Sequence, residues 1–149
     1  MTIDIRRARS ADLNRILEIE KASFGRDAWD ANLFHEYLAH CPDLFLVART
    51  HRRTAGYMIA CIQREKAELV SIAVDPNHRR MGIAVALLKY AIARLRRKRV
   101  EMFWLMVRTK NHPAIRFYRQ AGFVRIRRVN GYYEDGGDGW RMRLALNPR

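Results

Sequence analysis

Two rhythms of apolar residues alternate along this chain. Leu13, Ile16, Leu17 and Ile19 or Ala22 recur every three or four residues, which predicts a helix over Ala11–Phe24 with one buried stripe and Ser10 as its cap. Gly25 to Trp29 interrupts it. Asp30 is placed to cap a second helix over about Ala31–Leu38, where Leu33, Phe34, Tyr37 and Leu38 are apolar. Ile3 and Ile5 alternate with polar residues and predict a short strand at the start. After Pro42-Asp43, strands read over Leu44–Thr50, Ala55–Gln63 and Glu68–Val74. Polar turns separate them, and they are near enough in sequence to form an antiparallel meander. The helical rhythm then returns at Ala84, Leu87, Leu88, Ala91, Ile92 and Leu95. Arg94, Arg96, Arg97, Lys98 and Arg99 crowd the end of that helix, where cations suit its dipole. Met102–Val107 is a continuous apolar run and predicts a central strand. Asn111 caps a short helix with Pro113 in its first turn. Ile115, Tyr118 and Ala121 lie on one face of it, and Gly122 ends it. Phe123–Val129 and Arg141–Leu146 read as the last two strands, joined by a glycine-rich loop from Tyr132 to Gly139.

This order, β-α-α-β-β-β-α-β-α-β-β, fits the α/β class, with one mixed sheet flanked by helices. A length of 149 residues, 49% of them hydrophobic, suits one domain over residues 1–149. There is no run of about 18 apolar residues that would suit a membrane span. The first residues, Met1 to Arg6, lack an apolar signal region, so a cytoplasmic location is expected. Cys41 and Cys61 match no metal-ligand spacing, and no metal is expected. Both are expected to be reduced and partly buried.

Charge changes the picture more than composition does. The chain has 29 Lys and Arg against 15 Asp and Glu, a net charge of +14. That surface suits a polyanion: CoA, RNA, a ribosome surface or an acidic peptide. It argues against polycationic substrates.

One turn is built for an anion. The apolar residues Leu69, Val70, Ile72, Ala73 and Val74 lead into Asp75-Pro76-Asn77-His78-Arg79-Arg80-Met81-Gly82-Ile83-Ala84, where a helix begins. A strand, a basic turn with glycine and a helix N-terminus together present unpaired N–H groups and a positive dipole end. The sequence contains neither G-x-x-x-x-G-K-[ST] nor G-x-G-x-x-G, so the two commonest nucleotide loops do not apply.

Arg79-Arg80-Met81-Gly82-Ile83-Ala84 resembles the pyrophosphate loop of the GNAT acetyltransferases, R/Q-x-x-G-x-G/A. Asn111-His112-Pro113-Ala114-Ile115-Arg116-Phe117-Tyr118-Arg119-Gln120-Ala121-Gly122-Phe123 resembles their N-x-x-A-x-x-x-Y-x-x-x-G-F segment. The element order matches that fold along nearly the whole chain. Ile72-Ala73-Val74-Asp75-Pro76, Trp104-Leu105-Met106-Val107-Arg108 and Asn130-Gly131-Tyr132-Tyr133-Glu134-Asp135-Gly136 are most similar to ribosomal-protein-alanine and protein N-terminal acetyltransferases.

The resemblance implies transfer of an acetyl group from acetyl-CoA to an amine by direct attack. It places acetyl-CoA in a notch between the strands ending at Val74 and Val107. Ile72, Ala73 and Val74 face the pantetheine, and a backbone N–H near Val74 stabilises the oxyanion. Arg79, Arg80, Met81, Gly82, Ile83 and Ala84 form the pyrophosphate loop, Asn111 faces the cofactor arm, and Tyr118 protonates the leaving sulfur. Trp29, Tyr132, Tyr133 and Glu134 flank the acceptor peptide. The ribosomal-protein enzymes carry a glutamate base where this chain has Met106, which cannot accept a proton. Glu68, on the neighbouring strand, stands where other GNAT groups carry one, with Glu134 as runner-up. An α-amine, with a pKa of about 8, asks little of a base. The tyrosine pair with its acidic-glycine turn resembles the hairpin that covers the peptide N-terminus in those enzymes, so the resemblance implies a protein N-terminus as acceptor, a ribosomal protein among the candidates. A small amine or a lysine side chain is the alternative, and an inactive nucleic-acid or ribosome binder a third. Monomers and dimers both occur in the family.

Overall fold

The computed structural model describes residues 2–147. Its strands are β1 (Asp4–Arg7), β2 (Phe45–Thr50), β3 (Arg53–Gln63), β4 (Lys66–Val74), β5 (Met102–Arg108), β6 (Val124–Val129) and β7 (Gly139–Ala145). Its helices are α1 (Leu13–Phe24), α2 (Ala31–His40), α3 (Ile83–Arg97) and α4 (His112–Gln120). The strands form a mixed seven-stranded sheet of order β1-β2-β3-β4-β5-β7-β6. The chain divides into two compact units: Met1–Cys61 with Leu69–Arg94, and Ile62–Glu68 with Leu95–Arg149.

In the first unit β1 pairs antiparallel with β2 and β2 with β3. The core gathers Leu13, Ile16 and Ile19 of α1, Phe34 of α2, Phe45 and Val47 of β2, and Tyr57 and Ile59 of β3. Burying each large side chain contributes roughly 1.5–3 kcal/mol. Asp30 caps α2 as expected, its carboxylate accepting the Leu33 N–H at 3.0 Å. Ser10 does not cap α1. It opens a single 3₁₀ turn, Ser10–Asp12, which Asp12 closes by accepting the Arg9 N–H at 2.7 Å and the Arg6 guanidinium at 2.8 and 2.9 Å. A two-oxygen carboxylate satisfies a backbone donor and a cation together, which a serine hydroxyl cannot. Ala22 is exposed, and the place on the buried face of α1 belongs to Glu20.

The expectation of reduced cysteines is corrected. Cys41 at the end of α2 and Cys61 in β3 form a disulfide, with Cα atoms 5.3 Å apart. That spacing is within the range a disulfide requires. It arises because α2 returns the chain alongside β3, and a separation of 20 residues carries no local signal of it.

In the second unit the start of β4 pairs parallel with β5, Ala67 beside Phe103 and Glu68 beside Trp104. β7 pairs antiparallel with β5, and β6 with β7 through a bulge between Arg125 and Arg127. The apolar run of β5 is not covered on both sides. Phe103, Leu105 and Val107 are buried, whereas Met102, Trp104, Met106 and Arg108 on the other face are only half-buried. Phe123 packs against Phe103 and Tyr118 at centroid distances of 5.6 and 5.7 Å, fixing α4 on the covered face.

Candidate active site

In the first unit, β4 delivers the chain into the basic turn. Asp75 is buried and caps the single 3₁₀ turn Pro76–His78. It accepts the Asn77 N–H at 3.2 Å, Arg15 of α1 at 2.5 Å and His78 Nδ1 at 3.1 Å. Burial alone would raise its carboxyl pKa. The Asn77 N–H, the Arg15 guanidinium and the His78 contact outweigh burial, and the pKa lies below its ordinary value. Arg15 also donates to the Thr54 carbonyl at 3.0 Å, tying the turn to α1 and β3. Beyond this clamp Arg80 and Gly82 both take left-handed backbone, with φ of 64° and 79°. For Arg80 that conformation costs about 1–3 kcal/mol. A Cβ at Gly82 would meet nothing within 4 Å, so conformation, not space, requires glycine there. Ile83 is buried and seats the first turn of α3, and Met81 is 45% exposed. The first turn of α3 contains no acidic residue. Its N–H groups lack helical acceptors, which makes the turn an anion cradle.

The same unit holds a group that sequence reading missed. Glu20 is 2% exposed and accepts the Trp29 N–H at 2.9 Å and the Tyr57 hydroxyl. Tyr57 Oη lies 2.8 Å from Ser71 Oγ, one residue before Ile72 of the cofactor strand. Burial raises the Glu20 carboxyl pKa, against the lowering effect of both donors. The network joins the segment between α1 and α2 to β4. The signal for it was available: Glu20 falls seven residues after Leu13 and four after Ile16, on the buried stripe. The Trp29 ring stacks on Tyr37 and tilts against Phe34, both at 5.4 Å, so its indole belongs to the edge of the core.

In the second unit Asn111 caps α4, its side chain accepting the Ala114 N–H at 3.3 Å. Two turns on, Tyr118 is 8% exposed, and its hydroxyl has no hydrogen-bond partner among the described residues. Burial, then the neighbouring Tyr133, pushes the phenol pKa well above its ordinary value. Tyr133 comes from the loop between β6 and β7. It packs edge-on against Tyr132 at 5.0 Å, and Arg108 stacks over its ring at 4.1 Å. Two aspartates hold this loop. Asp135 accepts Arg108 at 3.1 Å and the Gly137 N–H at 2.9 Å. Asp138 accepts Arg128 at 2.5 Å and the Gly131 N–H at 2.8 Å. Glu134 is exposed. Tyr133 is near enough to Tyr118 to act on its phenol electrostatically.

Glu68 lies on the uncovered face of this unit's sheet, beside Trp104. Arg141 stacks over the Trp104 ring at 4.2 Å. Burial raises the Glu68 carboxyl pKa, and Arg141 opposes the rise without cancelling it. Met106 sits on the same face opposite Arg141. Its methyl fills the space a Cβ at Gly139 would need, at 2.9 Å, and the Tyr133 ring lies 3.4 Å from that point. An elevated carboxylate, a methionine and the tyrosine loop therefore share one face of one unit.

Residues 12–123 match the family model described as the acetyltransferase (GNAT) family. An N-alpha-acetyltransferase of Sulfurisphaera tokodaii is 30% identical over 95% of this chain and 92% of its own length. The crystal structure of Ard1 from Thermoplasma volcanium matches with a TM-score of 0.93 at 26% identity, covering 99% of this chain and all of that one. The ribosomal-protein-S18-alanine N-acetyltransferase of Escherichia coli matches with a TM-score of 0.87 at 27% identity, covering 99% of this chain and 96% of its own.

Proposed function

Because the chain belongs to the GNAT acetyltransferase family, we propose that it transfers the acetyl group of acetyl-CoA to the N-terminal α-amine of a protein. The observation that carries this reading is Tyr118: a buried phenol with no hydrogen-bond partner among the described residues, its ring held by Phe117 and Phe123. The relatives named as N-terminal and ribosomal-protein-alanine acetyltransferases support a protein amine as acceptor, ribosomal proteins included.

The basic turn suits the pyrophosphate of acetyl-CoA. The N–H groups from Arg80 to Ala84 donate to it, Arg79 and Arg80 add charge, and Gly82 supplies the backbone angle. Ile72, Ala73 and Val74 offer backbone groups to the pantetheine, and Asn111 its arm contact. The acceptor binds as the neutral α-amine; its nitrogen attacks the thioester carbonyl and passes one N–H proton to Glu68 through water. A strand N–H near Val74 holds the oxyanion, the C–S bond breaks, and Tyr118 donates to the departing sulfur. Burial favours the neutral phenol, so Tyr118 acts chiefly by hydrogen-bond donation. Complete transfer would leave a phenolate that the same burial disfavours. A carboxylate raised by burial is matched to an α-amine of pKa about 8 better than to a lysine of about 10.4. Tyr132, Tyr133 and Glu134 of the loop between β6 and β7 are assigned to the acceptor, while the Trp29 indole, held by Tyr37 and Phe34, serves the core edge.

The reading is tested by incubating the protein with acetyl-CoA and peptides of varied first residue, then locating the added acetyl group by fragment mass spectrometry. Acetyl on the α-nitrogen supports it. Acetyl confined to lysine side chains contradicts it.

A further inference from the structure

The uncovered face of the second unit continues past Glu68 and Met106. Three cross-strand rows lie on it. Glu68, Trp104, Arg143 and Val124 are neighbours in the first, and Met106, Arg141 and Arg127 in the second. The third holds Arg108, Gly139 and Val129. Directly opposed residues of paired strands share a face, so Arg127, Arg141 and Arg143 form one cationic ladder. Arg127 and Arg143 are exposed and have no carboxylate partner among the described residues. Arg141 lies over the Trp104 ring at 4.2 Å, and its charge also acts on Glu68. Like charges placed opposite each other destabilise a sheet. This unit also concentrates the charge of the whole chain, with 16 of the 29 Lys and Arg but only 6 of the 15 Asp and Glu.

We propose that Arg127, Arg141 and Arg143 receive carboxylates of the acceptor polypeptide, so that the enzyme prefers N-termini with Asp or Glu a few residues beyond the acetylated amine. This rests on the N-terminal reading above and deepens it. The reach fits: strands lie about 4.8 Å apart, so β6 is roughly 10 Å from β5, the span of about three extended residues. Carboxylates from about the third acceptor residue onward meet the ladder. Guanidinium groups recognise them through paired N–H donors. The face fits single-stranded nucleic acid less well, because such binders stack bases on free aromatic rings. Here Trp104, the aromatic ring in these rows, is covered by Arg141 at 4.2 Å.

The experiment compares kcat/KM for two peptides with the same first two residues and the same length. One carries Asp and Glu at positions three to six, the other Asn and Gln. The double variant R127Q/R143Q is assayed beside the wild type, at low and high salt. The wild type is expected to favour the acidic peptide by about tenfold at low salt, with the preference shrinking as salt screens it. In R127Q/R143Q the ratio falls toward one through a higher KM for the acidic peptide, while KM for acetyl-CoA stays unchanged. Equal use of both peptides by the wild type overturns the proposal. So does a variant that keeps the preference, or one that loses both peptides alike. Loss of salt-sensitive oligoribonucleotide binding with peptide kinetics untouched assigns the face to RNA instead. If the wild type acetylates neither peptide while still binding acetyl-CoA, the N-terminal reading fails and this proposal with it, a result distinct from equal turnover.

Discussion

Tyr118 and Glu68 both depart from the ordinary titration of their side chains, and for the same reason: burial disfavours their charged forms. For Tyr118 the consequence is a proton held at any working pH. Tyr118→Phe is expected to lower kcat by about a hundredfold or more with little change in KM for acetyl-CoA, the cost of one donor aimed at developing charge. Steady-state kinetics on the two proteins checks this. For Glu68 the same upward shift has the opposite consequence for its role. A base works when deprotonated, and its raised pKa places that requirement above the usual carboxylate range. Below that pKa both Glu68 and the acceptor amine must lose protons, so log kcat/KM should climb with a slope near two. Between that pKa and about 8 the amine alone titrates, and the slope is near one. Glu68→Gln removes the steeper limb; identical profiles for the two proteins contradict the assignment. Legibility in sequence is uneven at this scale. Tyr118 and Gly82 stood in local motifs, and Glu68 in a recognisable strand context. The Glu20–Tyr57–Ser71 network joins three elements, and only the charge on an apolar stripe pointed to it.

At the scale of elements, the anion turn is positioned by a close approach of β3 to β4 and α3. A Cβ on Gly56 would stand 3.0 Å from the Ala73 carbonyl oxygen, 3.1 Å from Ile83 Cγ2 and 3.3 Å from Val74 Cγ2. Gly56→Ala therefore pushes on the last residues of β4 and the first of α3 together. It is expected to destabilise the protein by about 1–3 kcal/mol and to raise KM for acetyl-CoA more than KM for peptide. Thermal melts and initial rates measure the two effects. The Cys41–Cys61 bridge closes a loop of some 20 residues holding β2 and most of β3. Cys41→Ser is expected to cost about 3 kcal/mol without reductant and much less with it, read by denaturant unfolding. Helices and strands were legible because their periods are local. Two features were not. Ser10 does not cap α1 but opens a 3₁₀ turn that Asp12 holds through the Arg9 N–H and the Arg6 guanidinium. The apolar run of β5 predicted a central strand, and β5 is one, but one of its faces is left uncovered, and only pairing and packing reveal which.

For the whole molecule, the net charge of +14 suits polyanions without choosing among them. Its uneven distribution between the two units, and the ladder on the uncovered face, could not be read before the strands were paired. The central claim is that the acetyl group goes to a protein α-amine. The most direct test follows CoA thiol release from acetyl-CoA with one peptide in two forms, its α-amine free or blocked, each containing an internal lysine. Turnover with the free peptide that vanishes on blocking is the predicted result. Turnover that survives blocking contradicts the account and assigns the enzyme to lysine side chains.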